Sequence, residues 1–106
     1  TCALPIYEAA EYLDELDQHK IVTAEQAAQA SIRVAEAKVY ANDAALQISE
    51  KLLELGGSRS CLSQHHLDQY WRNARVHTLH DPVRWKLHAI GNYYLNQAFP
   101  ARHAWI

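Results

Sequence analysis

Residues 23–57 read TAEQAAQASIRVAEAKVYANDAALQISEKLLELGG, and neither glycine nor proline interrupts them before Gly56 and Gly57. Thr23-Ala24-Glu25-Gln26 has the spacing of a capping box, in which the Thr23 hydroxyl accepts from a backbone amide and the Gln26 side chain reaches back. One helix is predicted from there to the glycine pair, about 50 Å long at 1.5 Å per residue. Ala24, Ala27, Ala28, Ala30, Ala35, Ala37, Ala41, Ala44 and Ala45 make it small-sided, and Leu46, Ile48, Leu52, Leu53 and Leu55 follow. Small residues let neighbouring helices approach closely, and apolar side chains on more than one face predict burial between several partners. The fold class implied is all-α, an up-down bundle of about four helices with this one at its centre.

The flanking segments read as the other helices. Upstream, Pro5 suits a helix start, and Ile6, Ala9, Ala10, Leu13 and Leu16 recur at three- and four-residue spacing. His19 and Lys20 suit the negative end of that helix, and Ile21-Val22 is expected to pack as a link. Downstream, Gly56 suits a left-handed cap. Ser60 or Ser63 is the expected cap of a third helix, with Leu67, Trp71 and Ala74 on an apolar arc beside a stripe of His66, Gln69, Asn73, His77 and His80. Asp81 is then expected to cap a fourth helix with Pro82 at its first position and Val83, Leu87, Ile90 and Tyr94 as its buried series. Gly91 suggests a close contact within it, and the aromatic tail from Phe99 to Ile106 is expected to dock. No strand-like alternation of useful length and no internal repeat is present.

Composition removes several function classes. At 106 residues and 49% hydrophobic, the chain is one domain with enough apolar residues for a core. Its 10 basic residues are scattered among 12 acidic ones for a net charge of −2, so nothing favours nucleic acid or an anionic membrane surface. No apolar run approaches the roughly 20 residues that span a bilayer. A soluble cytoplasmic protein is expected, with Cys2 and Cys61 as reduced thiols. The absence of methionine, even at position 1, suggests a processed product or a piece of a longer protein.

The chemistry concentrates in Trp71-Arg72-Asn73-Ala74-Arg75-Val76-His77-Thr78-Leu79-His80-Asp81-Pro82. On a helix, Asn73, His77 and His80 fall within about 60° of one another. Three readings compete for that face. His77, His80 and Asp81 offer a metal two imidazoles and a carboxylate, but the chain lacks the glutamate ligands that di-iron bundles place on facing helices, so no metal is expected. An imidazole titrates near neutral pH and serves as a general acid or base, yet a structural histidine fits the same spacing. No nucleophile elbow is present, and neither cysteine has a basic neighbour in sequence. Gly57-Ser58-Arg59 reads either as a phosphate cradle or as a helix end followed by a solvated arginine.

These elements together resemble the C-terminal helical domain of acyl-CoA dehydrogenases: a long alanine-rich helix, a Leu55-Gly56-Gly57 turn, a helix with Arg72-Asn73-Ala74-Arg75, and a final helix from Pro82 to Gln97. Residues 70–82, Ile90-Gly91-Asn92-Tyr93-Tyr94-Leu95-Asn96 and Pro100-Ala101-Arg102-His103 resemble more closely the reduced-flavin-dependent monooxygenase branch, which includes dibenzothiophene monooxygenases and sulfur-acquisition oxidoreductases. The resemblance implies that Asn73 contacts a flavin, with reduced FMN favoured over FAD. It implies that His80, with His77 nearby, sits by the isoalloxazine ring as the candidate for proton transfer or hydrogen bonding. Arg59, with Ser58 and Gly57, would bind the flavin phosphate of a neighbouring subunit, because the family assembles as tetramers through this domain. His-Thr-Leu-His-Asp-Pro stands where true dehydrogenases carry a Glu-Gly-Thr type element, which argues against an acyl-CoA substrate.

On this reading residues 1–106 are the C-terminal domain of a larger two-component monooxygenase acting on a small hydrophobic organosulfur compound, supplied by a separate flavin reductase. The isolated piece is expected to self-associate and to lack catalysis. The alternatives are an acyl-CoA dehydrogenase proper, or a non-catalytic helical assembly module.

Overall fold

The computed structural model describes residues 3–104, so Cys2, Trp105 and Ile106 lie outside the described residues. The chain forms α1 (Leu4–Asp17), α2 (Ala24–Gly56), two short 3-10 turns (Ser58–Cys61 and Ser63–His65), α3 (Asp68–His80) and α4 (Val83–Asn96), with no strand among the described residues. The capping box is formed: Gln26 N donates to Thr23 Oγ1 at 3.1 Å and Thr23 N donates to Gln26 Oε1 at 3.0 Å. Two orphan amides at the start of the longest helix are thereby satisfied.

Each of the other helices packs on α2. α1 folds back antiparallel over its first half, where Tyr12 Oη donates to Gln29 Oε1 at 2.9 Å and the Arg33 guanidinium sits 4.7 Å from the Tyr12 ring centroid. α4 covers the same half, with Tyr94 donating to Glu36, a bond that holds its phenol above the ordinary value. α3 lies on the second half. The buried apolar residues Ala9, Leu16, Ala28, Ile32 and Ala35 all belong to the first half, and Ile32 is the most enclosed at 1% exposure. Alanine at 28 and 35 lets α1 and α4 close on α2, as the small-residue pattern predicts.

Among the described residues, the second half of α2 carries α3 and the first 3-10 turn, and Ile48, Leu52 and Leu55 remain exposed along it. This makes the molecule long, 55 × 25 × 22 Å with a radius of gyration of 17.2 Å, against about 13 Å for a compact domain of this length. Its accessible surface of 8002 Å² exceeds by about 2,000 Å² what a compact chain of this size shows.

Several local expectations are corrected. Gly56 ends α2 with ordinary helical geometry, and Gly57 takes the positive φ of 70°. Gly56 is needed for a different reason, since a Cβ there would stand 2.6 Å from Ser60 Cβ. Ser60 is buried and does not cap α3; its Oγ lies 2.8 Å from Leu53 O and 2.7 Å from Gly57 O, so it closes the end of α2 instead. Ser63 sits in the second 3-10 turn, and α3 begins at Asp68 without a side-chain cap. His66, at φ 50°, stands outside the helix and leaves the predicted stripe. Ile21 is exposed and does not pack. The described part of the tail folds back: Phe99 lies 6.4 Å from Tyr93 between ring centroids, and Arg102 and His103 line a groove together with Leu16 and Ala30.

The largest correction concerns the α3–α4 corner. Asp81 does not cap α4, which starts at Val83 behind Pro82 without a side-chain cap. Its carboxylate is taken by two ammonium groups, Lys38 of α2 and Lys86 of α4, the latter at 3.2 Å. Lys38 Nζ also donates to the Asp81 carbonyl at 2.9 Å. Lys86 is buried at 4% exposure, and a buried ammonium costs several kcal/mol unless it is paired. This turns α4 so that Val83, Lys86, Ile90 and Tyr93 face inward, while Leu87 and Tyr94, expected in the core, are exposed. Hydrogen bonding from Lys38, reinforced by Lys86 and opposed by partial burial, holds the Asp81 carboxyl below its ordinary 3.8.

Two outcomes follow for the isolated chain. Ile32→Ala should lower unfolding stability in urea by about 2–5 kcal/mol, because the site is closed on all sides and cannot collapse. Because the Asp81 pKa is depressed on folding, its contribution is fully present above the unfolded value near 3.8 and is lost as pH falls through the lower folded value. Urea midpoints measured from pH 5 downward should therefore fall less steeply for Lys38→Met, which removes the main cause of the depression.

Candidate functional site

α3 presents two different sides. Ala74, Thr78 and the following Asp81 are half-buried toward α2, and Thr78 Oγ1 donates to Arg75 O at 2.7 Å within the helix. Asn73, His77 and His80 lie about 100° around the axis from that line, by the 3.6-residue repeat, and all three are exposed. Tyr70, also exposed, falls on the same flank one turn before Asn73. The structure thus brings Asn73, His77 and His80 onto one open face. An amide and two imidazoles in a row offer hydrogen-bond donors and acceptors, the chemistry suited to the carbonyl and nitrogen edge of a heteroaromatic ring.

His80 is the last residue of α3, and the clamp on Asp81 begins one residue later. The Lys38 ammonium stands where the last carbonyls of a helix lack intrahelical partners, and its charge suits the negative end of the α3 dipole. With two ammonium groups on it, the Asp81 carboxylate is unsuited to ligating a metal beside His77 and His80. Among the described residues, no group of three or more His, Cys, Asp or Glu side chains is arranged to hold a metal.

Gly57, Ser58 and Arg59 form a second locus. The Gly57 amide donates to Glu54 O at 3.2 Å, which leaves the Ser58 hydroxyl and the Arg59 guanidinium as the exposed groups of that turn. They do not join the histidines in one chain. Ser60 is tied to Leu53 and Asp81 to Lys38, and about 22 Å of helix axis separates those two residues of α2. A ligand touching both Arg59 and His80 must reach along α3 or draw them from two copies.

Other grooves lie around α1 and α4. One of about 320 Å³ is lined by Glu8, Gln29, Arg33, Glu36, Tyr93 and Tyr94, and another of about 250 Å³ by Trp85, His88 and Phe99 among others. Both are away from α3. Sequence reasoning missed Lys38 and Lys86 altogether. The available signal was a lysine set between Ala37 and Val39 in the smallest-sided stretch of α2, where a solvated side chain has little reason to sit. No described helix is long and apolar enough to cross a membrane.

The chain is similar to known proteins over nearly all of its length. It is 36% identical over 94 residues to the dibenzothiophene monooxygenase of Mycolicibacterium goodii, covering 88% of this chain and 23% of that protein. It is 35% identical over 99 residues to the probable FMNH2-dependent monooxygenase SfnC of Pseudomonas putida, covering 92% and 25%. Among solved structures, FMN-bound TdsC from Paenibacillus sp. A11-2 superposes with a TM-score of 0.88 at 36% identity over 99% of this chain and 26% of that one. The chain spans about a quarter of the length of these relatives. The family model for the acyl-CoA dehydrogenase C-terminal domain runs from residue 3 to residue 85, through the spine helix, the glycine turn and the histidine helix. A match that takes in all three of those elements in order makes this chain a member of that family.

Proposed function

We propose that residues 1–106 are the C-terminal helical domain of a larger flavin-dependent monooxygenase that uses reduced FMN, delivered by a separate reductase, to oxygenate a small hydrophobic compound such as an organosulfur molecule in the cytoplasm. The observation that carries the reading is the likeness to FMN-bound TdsC over 99% of the chain at 36% identity. In this reading Asn73 hydrogen-bonds the flavin ring, and His80, with His77 beside it, is the proton donor or hydrogen-bond partner at the ring's reactive edge. Arg59, with Ser58 and Gly57, binds the flavin phosphate of another subunit, in keeping with the distance between the two loci. When bound, the flavin supplies the electrons and activates dioxygen. The chain's own contribution is a face of hydrogen-bonding side chains held at a helix end.

The state of Asp81 disfavours the dehydrogenase alternative. Abstracting a proton next to a thioester needs a carboxylate of raised basicity, and Asp81, the carboxyl group beside His80, is held below its ordinary pKa by two lysines. The exposed apolar residues along α2, α3 and α4 support assembly into a homotetramer in the full-length protein.

Two measurements test this reading. In the full-length protein, Arg59→Ala should weaken FMN binding at least tenfold, the loss of about one charge-assisted contact, while His80→Ala should depress turnover with reduced FMN and dioxygen more than it depresses affinity. Unchanged affinity and turnover in both variants contradicts the site assignment. For the isolated chain, light scattering should detect species larger than a monomer; a strictly monomeric solution contradicts the assembly.

A further inference from the structure

We propose that Lys38 is a positioning residue: together with Lys86 it clamps Asp81 at the α3–α4 corner and thereby fixes where the His80 imidazole stands. The functional half of this inference rests on the reading of the preceding section, whereas the clamp itself does not.

Three elements meet at one residue. Lys38 comes from the middle of α2, Asp81 ends α3, and Lys86 lies in the second turn of α4. Lys38 grips Asp81 twice, through its carboxylate and through its carbonyl at 2.9 Å, so it fixes backbone as well as side chain. A carbonyl at a helix end has no intrahelical donor and needs a partner from outside the helix, which Lys38 supplies here. Pro82 follows directly and restricts Asp81 to extended geometry, seen at φ −118° and ψ 92°. His80 is joined to this fixed point by one peptide bond, so the clamp sets the direction of its Cα–Cβ bond more closely than a frayed helix end would.

Packing alone does not supply this order. His80 and its neighbour Leu79 are exposed, and Ala74 and Thr78 are the half-buried anchors of α3 on α2. Without Lys38, the Asp81 carbonyl loses its ammonium donor and the carboxylate keeps Lys86. The cluster also explains an otherwise costly choice, a lysine buried at 4% exposure in α4: its ammonium pairs with the same carboxylate oxygen, Oδ2, that Lys38 holds.

The test uses the full-length protein and two readouts. Lys38→Met keeps the stem and leaves Asp81 and Lys86 as a neutral pair, so the fold is retained. Hydrogen exchange at the backbone amides of Leu79, His80, Asp81 and Val83 should accelerate roughly tenfold or more, as expected for losing charge-assisted bonds, with α1 unaffected and Lys38→Arg restoring protection. Stopped-flow reoxidation of bound reduced FMN by dioxygen needs no organic substrate. Lys38→Met should shift its rate in the same direction as His80→Ala, with FMN affinity within about threefold, and the double variant should add nothing further.

Unchanged exchange in Lys38→Met overturns the clamp. Faster exchange with an unaltered reoxidation rate, or effects that add in the double variant, overturns the coupling to His80. If the wild type and His80→Ala both reoxidise FMN at the rate of free flavin, the proposed role of His80 fails and the functional half fails with it. The exchange result still decides the clamp in that case.

Discussion

The dependence of every other element on α2 is the constraint from which the rest of this structure follows. A helix of 33 residues exposes several faces, and here α1 and α4 share its first half while α3 takes the second. The buried apolar residues gather where three helices meet, around Ile32, and thin out where only two do. That division explains the length of the molecule and its excess surface better than any local feature. It also places the corner between α3 and α4 at the midpoint of α2, where the well-packed half ends, and the histidines of α3 stand at that boundary.

At such a boundary apolar packing alone leaves a helix end loosely held, and the chain uses charge instead. Lys86 would be an expensive residue in a core, and Asp81 would be an ordinary turn residue on a surface. Together with Lys38 they form a cluster of two cations and one anion, partly shielded from water, in which the anion is held well into its ionised form. Losing Asp81 would leave two ammonium groups without their shared anion, whereas losing one lysine leaves a matched pair. The geometry fixed is that of the residue next to His80.

Much of the fold was legible in the sequence because its signals are local. The Thr23–Gln26 box and the uninterrupted alanine-rich run defined α2 from residues that lie side by side in the chain, and the structure forms both. The failures share a physical cause. Ser60 has the chemistry of an N-cap, but its hydroxyl was claimed by Leu53 and Gly57, a choice set by the tight approach of Gly56. Leu87 and Tyr94 have the chemistry of core residues, but α4 was rotated by the pairing of Lys86 across 5 positions with Asp81 and, through it, with Lys38 of another helix. Periodicity ranks faces by hydrophobicity, and it has no term for a salt bridge formed between residues 43 apart. The Asn73–His77–His80 face was legible because helical spacing alone generates it. Its remoteness from Arg59 was not, since that distance depends on where α3 lands along α2.

The corner also bears on what chemistry this domain is built for. A carboxylate that must remove a carbon-bound proton is kept basic by burial away from cations, whereas Asp81 is surrounded by them. The polar groups on the open side of α3 are the amide of Asn73 and the imidazoles of His77 and His80. At this corner Asp81, Lys38 and Lys86 are thus turned inward to hold the backbone, and the amide and imidazoles are turned outward. On the proposed reading, an arrangement that uses its charge for structure and presents hydrogen-bonding groups outward suits a ring whose reactivity depends on hydrogen bonding at its edge. It suits far less well a substrate that must be deprotonated by the protein itself.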